Sequence, residues 1–212
     1  MSSNSNSSVP LSNTSFSSYL RETAENRFHT HHAVWGIDHA LRLGDPLLPG
    51  EDVPQFEETG LRSNNKKEIT NTRDFLGRPY LIVFHSGAFT ASGENASSLI
   101  TDLSVTKEVK LDYLIISTDS MEVNEAWTSM RDLGSLPVTA TMISDKTGDI
   151  AKAFGVLDIE THTAYNSVFL IDKQGIVQAA RISAFPDVPS IGSNTGVGDV
   201  LDLLGRNYSC LF

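Results

Sequence analysis

The sequence predicts an α/β chain: a three-layer α/β/α sandwich around a mixed central sheet, preceded by an N-terminal helical arm. Two patterns support this. Continuous apolar runs such as Pro79–Phe84 (PYLIVF) and Asp112–Ser117 (DYLIIS) alternate with segments of helical periodicity, the order that builds a parallel sheet covered on both faces. Near the end, Ala164–Asp172 and Ile176–Ile182 flank the turn Lys173-Gln174-Gly175, which reads as a hairpin adding an antiparallel edge.

Taken in order, residues 1–16 are Ser/Asn-rich with few apolar anchors and read as a disordered tail. In residues 17–45, Leu20, Ala24, Phe28 and Trp35 recur at helical spacing, Gly36 interrupts them, and Leu43-Gly44-Asp45 reads as a C-cap. This arm is expected to pack on the core or on a second subunit. A domain of residues 46–206 and a tail of 207–212 follow. Within the domain, residues 46–64 read as an extended connector in which Val53–Phe56 could form a short edge strand. Asn64-Asn65-Lys66-Lys67 reads as a polar turn, and the stretch from Thr72 to Gly77 as one helical turn. After the strand Pro79–Phe84, Thr90 or Ser92 can cap a helix running to Leu103, with Glu94 in its first turn. A helix from Ser120 to Leu133 follows the second strand. Next come a strand Thr139–Ser144, a short helix Thr147–Phe154, the hairpin and a last helix Gly196–Leu204. The order β-α-β-α-β-α-β-β-α is that of a thioredoxin-like architecture.

The 212 residues carry a net charge of −10, which disfavours nucleic acid and anionic membrane as partners. No apolar run approaches the ~18 residues of a membrane span. The first residues lack the apolar stretch of a signal peptide, so a cytoplasmic protein is expected. A single cysteine, Cys210, excludes an intrachain disulfide and a thiolate metal cluster, and it reads as structural or incidental. His29, His31 and His32, with His39 beyond, do not offer the i, i+4 pair of a helical metal site, so no metal and no cofactor are expected. With Phe28 and Trp35 they suit a packing face, which points to a homodimer.

Several motifs carry a resemblance. Leu41-Arg42-Leu43-Gly44-Asp45 followed by Val53-Pro54-Gln55-Phe56, the run Leu76–Phe84, Asn124-Glu125-Ala126-Trp127, Ile143-Ser144-Asp145 through Ala153-Phe154-Gly155-Val156, and Ser167–Val177 come in a familiar order. Over about residues 41–205 they resemble the peroxiredoxins of the alkyl hydroperoxide reductase/thiol-specific antioxidant group. In that group the loop after the first buried strand holds Pro, then Thr, then the peroxidatic Cys, faced by a distant Arg. The matching places here are Ser86, Thr90, Gly93 and, for the Arg, near Asn166, so only the Thr is kept. Peroxide reduction needs a thiolate, which glycine cannot supply.

The resemblance and the residues together lead to an expectation of a redox-inactive protein that keeps a polar pocket. His85, Glu94 and Thr90 are the candidate catalytic residues. Ser86, Gly87, Ser92, Gly93, Asn95, Trp127, Tyr165 and Asn166 are the candidate contacts to a small organic molecule. His85 can titrate near neutral pH and serve as acid or base, Glu94 can orient it, and the helix-start N–H groups favour an anion or carbonyl oxygen. Isomerisation, dehydration, cyclisation or proton transfer are the matching reaction classes. A non-catalytic dimeric scaffold is the alternative, and residual thiol oxidoreduction through Cys210 the third reading. Each residue also has a plain structural role: Thr90 and Ser92 as caps, Glu94 on the helix dipole, Trp127 in the core, Tyr165 and Asn166 finishing a strand, and His85 as a hydrogen-bonded strand end.

Overall fold

The computed structural model describes residues 46–62, 64, 66–105, 111–130 and 139–182. The expected disordered tail, the helical arm with its histidines, the last helix and Cys210 lie outside them.

The strands are β1 (Glu57–Arg62), β2 (Lys67–Asn71), β3 (Tyr80–Phe84), β4 (Asp112–Ser117), β5 (Ala140–Ser144), the short β6 (Leu157–Asp158) and β7 (Thr163–Ala164), β8 (Ser167–Ile171) and β9 (Val177–Ile182). The helices are α1 (Ala91–Val105), α2 (Met121–Met130) and α3 (Asp149–Ala153), with a 3-10 turn at Thr72–Phe75. The main sheet has the order β2-β1-β5-β4-β3-β8-β9. β3, β4 and β5 are parallel, and the remaining pairings of this sheet are antiparallel. The chain has the thioredoxin-like mixed α/β fold.

The alternation along β3 and β4 explains the layers. Leu81, Val83, Tyr113 and Ile115 point to one face, where they meet Ala96, Leu99 and Ile100 of α1 and Trp127 of α2. Ala96, Leu99 and Ile100 fall at i, i+3 and i+4, one stripe of the helix. Tyr80, Ile82, Phe84, Leu114 and Ile116 point to the other face, against Ile150 and Ala151 of α3, and Phe154. All five residues of β3 are buried, as two covered faces require. α3 begins after Gly148, whose φ of 74° suits glycine, and Asp145 accepts from the N–H groups of Ile150 (3.1 Å) and Ala151 (2.7 Å).

Three expectations need correction. The segment 46–64 is not only a connector, because β1 forms within it. β1 pairs with β5 and, through β2, makes a hairpin at the sheet edge. Val53–Phe56 is not a strand: its contribution is the Val53 N–H bond to Gly175 O (2.9 Å), beside the isolated bridge between Asp52 and Ile176. The expected strand Ala164–Asp172 is divided: Thr163–Ala164 pairs with Leu157–Asp158, and β8 starts only at Ser167. Tyr165 N–H bonds to Val156 O (2.8 Å) at the break, which leaves Asn166 at the head of β8.

Candidate functional site

The loop between β3 and α1 lies at the carboxyl ends of the parallel strands, where open α/β sheets place their ligands. His85 continues β3 by one residue, its N–H donating to Ile116 O (3.1 Å). Phe84 is paired with Ile116 on one side and Ser167 on the other, so the same register sets His85 beside Ser117 and Asn166.

Five hydrogen bonds then hold the loop down. Ser86 N–H donates to Ser92 Oγ (2.9 Å), and the Ser92 hydroxyl donates in turn to Asn166 Oδ1. Ala88 N–H donates to Asp119 Oδ2 (2.7 Å). Thr90 Oγ donates to Gly87 O (2.7 Å) and accepts from Gly93 N–H (3.4 Å), which places Thr90 at the cap of α1. Ser92 does not cap the helix; it ties the loop to β8. The loop backbone closes so tightly on the first turn of α1 that a Cβ at Gly93 would lie 2.5 Å from Ala88 O and 2.6 Å from Gly87 O. Position 93 has no room for a side chain with the loop in this place.

The sequence candidates therefore separate. Ser86, Gly87, Ser92, Gly93 and Asn166 come together in the closed loop. Thr90 and Glu94 stand exposed and Asn95 half-buried on its outer side. Tyr165 points into the opposite face, its hydroxyl donating to Asp158 Oδ2 (3.3 Å). Trp127 is buried in the core, and its ring lies 5.8 Å from that of His85, tilted by 36°. His85 is 0% exposed, and although neither ring nitrogen meets strict hydrogen-bond geometry among the described residues, the Gly87 backbone acts on the ring as a hydrogen-bond partner. Burial pushes its pKa down to about 4, against the opposing pull of the Asp119 charge and the nearby Gly87 backbone. The expectation that His85 titrates near neutral pH is corrected accordingly: the ring is neutral at pH 7.

Sequence reasoning missed Asp119, Ser117 and Asn124. Asp119 tethers the loop by its side chain, and its own carbonyl accepts from Ser144 Oγ (2.6 Å). Ser117 Oγ meets Asn124 Oδ1 at 3.4 Å. One signal was available: Ser117 ends a buried strand next to the one that ends at the loop, so the residues just after it face the same crevice.

Residues 49–180 match the model of the AhpC/TSA family. The chain belongs to that family. It is similar to alkyl hydroperoxide reductase C of Bacillus subtilis, 28% identical over 138 residues, which are 65% of this chain and 73% of that protein. It is 33% identical over 119 residues to the protein of the same name from Staphylococcus epidermidis, covering 56% of this chain and 62% of that one. A chloroplastic 2-Cys peroxiredoxin of Spinacia oleracea is 28% identical over 171 residues, 79% of this chain and 60% of its own length. The crystal structure of Enterococcus faecalis AhpC superposes with a TM-score of 0.66 at 22% identity, over 77% of this chain and 95% of that one. The reduced 2-Cys peroxiredoxin of Plasmodium vivax superposes with a TM-score of 0.64 at 21% identity, over 77% and 85%.

These relatives overturn the expectation of a redox-inactive protein, whether a non-redox catalyst of the isomerase or lyase type or a scaffold. They are named as alkyl hydroperoxide reductases and peroxiredoxins. The departures at Ser86, Gly93 and Asn166 had carried that expectation. Among the described residues no helix is long and apolar enough to cross a membrane.

Proposed function

We propose that this chain reduces small hydroperoxides by the thiol chemistry of its family, with Cys210 as the thiol that is oxidised. The observation that carries the reading is the family match over residues 49–180, together with relatives named for peroxide reduction. Peroxide reduction by protein sulfur runs through a thiolate, and the chain's single cysteine is Cys210. The thiolate attacks the O–O bond and the alkoxide leaves with a proton as alcohol. The resulting sulfenic acid is reduced by an external thiol, releasing water and forming a mixed disulfide that a second thiol resolves.

On this reading the exposed Thr90 and Glu94 with the half-buried Asn95 are the loop groups open to the substrate, and Ser86, Gly87, Ser92, Gly93 and Asn166 hold the loop in place. His85, Trp127 and Tyr165 support it from within. The chain acts as a cytoplasmic homodimer built around a domain of residues 46–206, with the arm of residues 17–45 as the dimer element.

The test is peroxide consumption by the full chain with excess dithiothreitol, beside Cys210→Ser. Turnover above the reductant background that disappears in Cys210→Ser supports the proposal. Equal rates in the two proteins refute it. Sedimentation velocity of the full chain and of one lacking residues 1–45 tests the dimer.

A further inference from the structure

Among the described residues β2 ends the main sheet, on the edge opposite β9. The hairpin's hydrogen bonds show which of its backbone groups turn outward. Arg62 N–H donates to Lys66 O (2.9 Å) at one end, and Thr72 N–H donates to Phe56 O (3.2 Å) at the other. Backbone direction alternates along an antiparallel pair, so Glu68 and Thr70 also face β1, while Lys67, Ile69 and Asn71 face away from it. The Asn71 N–H donates to Asp74 Oδ2 (3.1 Å). Among the described residues, the N–H and C=O groups of Lys67 and Ile69 and the Asn71 carbonyl are left for a partner strand.

The side chains agree with the backbone. Sheet edges are commonly protected by charged side chains, proline or a bulge. β2 carries Ile69 at its centre, 63% exposed, and its pairing with β1 runs without a register shift. The neighbouring charges are engaged within the chain: Glu68 pairs with Arg62, and Lys67 with Glu125 of α2 (2.5 Å).

We propose that β2 is a docking edge for a second copy of this chain, added antiparallel about a two-fold axis at Ile69. The occupant follows from the strand's self-complementarity. With the axis at Ile69 the whole strand is paired: Ile69 faces the partner's Ile69, Glu68 the partner's Thr70, and Lys67 the partner's Asn71. No like charges stand opposite each other, and the two isoleucines cover one another. Each Ile69 N–H donates to the other copy's Ile69 carbonyl, and each Lys67 N–H to the other copy's Asn71 carbonyl. An axis at Lys67 or Glu68 sets like charges face to face, and an axis at Thr70 or Asn71 pairs less of the strand. The contact is separate in sequence from the arm of residues 17–45 and is tested apart from it.

The experiment places a single thiol on the axis of the full chain, by combining Ile69→Cys with Cys210→Ser. Hydrogen-bonded antiparallel residues have Cα atoms about 5.5 Å apart, within the roughly 4.4–6.8 Å that a disulfide spans. Diamide should convert this variant to a species of doubled mass on non-reducing electrophoresis. Ile159→Cys in the same background, a site of equal exposure at 64%, should cross-link only at the slower rate of random collision. In the chain carrying Cys210→Ser alone, hydrogen exchange at the Lys67 and Ile69 amides should slow as protein concentration rises, more than at Glu68 and Thr70. Ile69→Pro removes the outward donor while leaving the bonds to β1, and should abolish the concentration dependence at Lys67. Ile69→Lys, which sets like charges on the axis, gives the same readout if Ile69→Pro does not fold. Equal cross-linking of the two thiols, or exchange at Ile69 that is independent of concentration, overturns the proposal. So does a concentration dependence at Lys67 that survives both substitutions. Neither readout depends on peroxide reduction, so failure here is separate from failure of the peroxidase reading.

Discussion

The His85 imidazole is neutral at pH 7 because full burial outweighs the Asp119 charge, which sets its pKa near 4 against an ordinary value of 6.5. Between those two values the unfolded chain binds the proton more readily than the folded one. Stability is therefore complete above pH 6.5 and falls as the pH drops towards 4, by up to ~3 kcal/mol over the whole window. Thermal melts across that range should show the loss in the native protein and a flatter curve in His85→Phe. A second residue-scale expectation concerns Gly93. Its Cβ would meet two backbone carbonyls, and backbone cannot yield as a side-chain tip can. Gly93→Ala should cost about 1–3 kcal/mol in urea unfolding, and Gly93→Cys no less. A cost near zero would show that the loop lifts freely. The sequence made His85 and Gly93 visible as site positions, since both flank a strand-to-helix junction. It could not show that one is buried and the other pressed by backbone, because those facts depend on Trp127, Asp119 and Asn166, all remote in sequence.

At the scale of elements, the legible parts were those with an unbroken pattern. YLIVF and DYLIIS could hardly be anything but buried strands, and the start of α1 was legible from Thr90 as a cap and Glu94 in the first turn. The β1–β2 hairpin was not legible: EETGLR and KEITN carry charged, partly exposed positions and no clean alternation. What fixes β1 is a close approach. A Cβ on Gly60 would lie 2.5 Å from both Thr141 Cγ2 and Thr70 Oγ1, side chains of the strands on either side. Gly60→Val should pry β1 from β5, seen as lost amide protection of residues 60–62 and a lower unfolding midpoint, whereas a surface change at Glu57 should do neither. The loop's tether to the β4–α2 connection was equally hidden, because it joins Ala88 to Asp119 across 31 positions. Asp119→Ala removes a charge-assisted acceptor from a backbone donor, an interaction of about 1.5–3 kcal/mol. Hydrogen exchange at the Ala88 amide should accelerate selectively, with β3 and β4 unchanged. Uniform acceleration would mean that Asp119 supports the fold rather than the loop.

For the whole molecule, fold and family were readable from the order of elements, while the redox-inactive reading came from the departures at Ser86, Gly93 and Asn166. The thiol count gives the sharpest remaining expectation. With one cysteine per chain, an oxidised Cys210 cannot form an intrachain disulfide. Without added thiol and with peroxide limiting, the sulfenic acid either persists or condenses with Cys210 of a second copy, releasing water; excess peroxide carries it on to the sulfinic and sulfonic acids. The first outcome consumes one peroxide per chain, the second one per two chains. Because both products need reductant to recycle, peroxide loss in the absence of added thiol should stop within three equivalents per chain even with peroxide in excess, and dithiothreitol should sustain turnover when present from the start. Non-reducing electrophoresis after a single peroxide equivalent separates the products: a band of doubled mass marks the disulfide, and a sulfenic-acid trap adding its mass to the single chain marks the alternative. Both signals should vanish in Cys210→Ser. If peroxide is consumed well beyond three equivalents per chain without reductant, the most that oxidation of one cysteine to the sulfonic acid can take up, oxidation of Cys210 is not the route by which this protein acts.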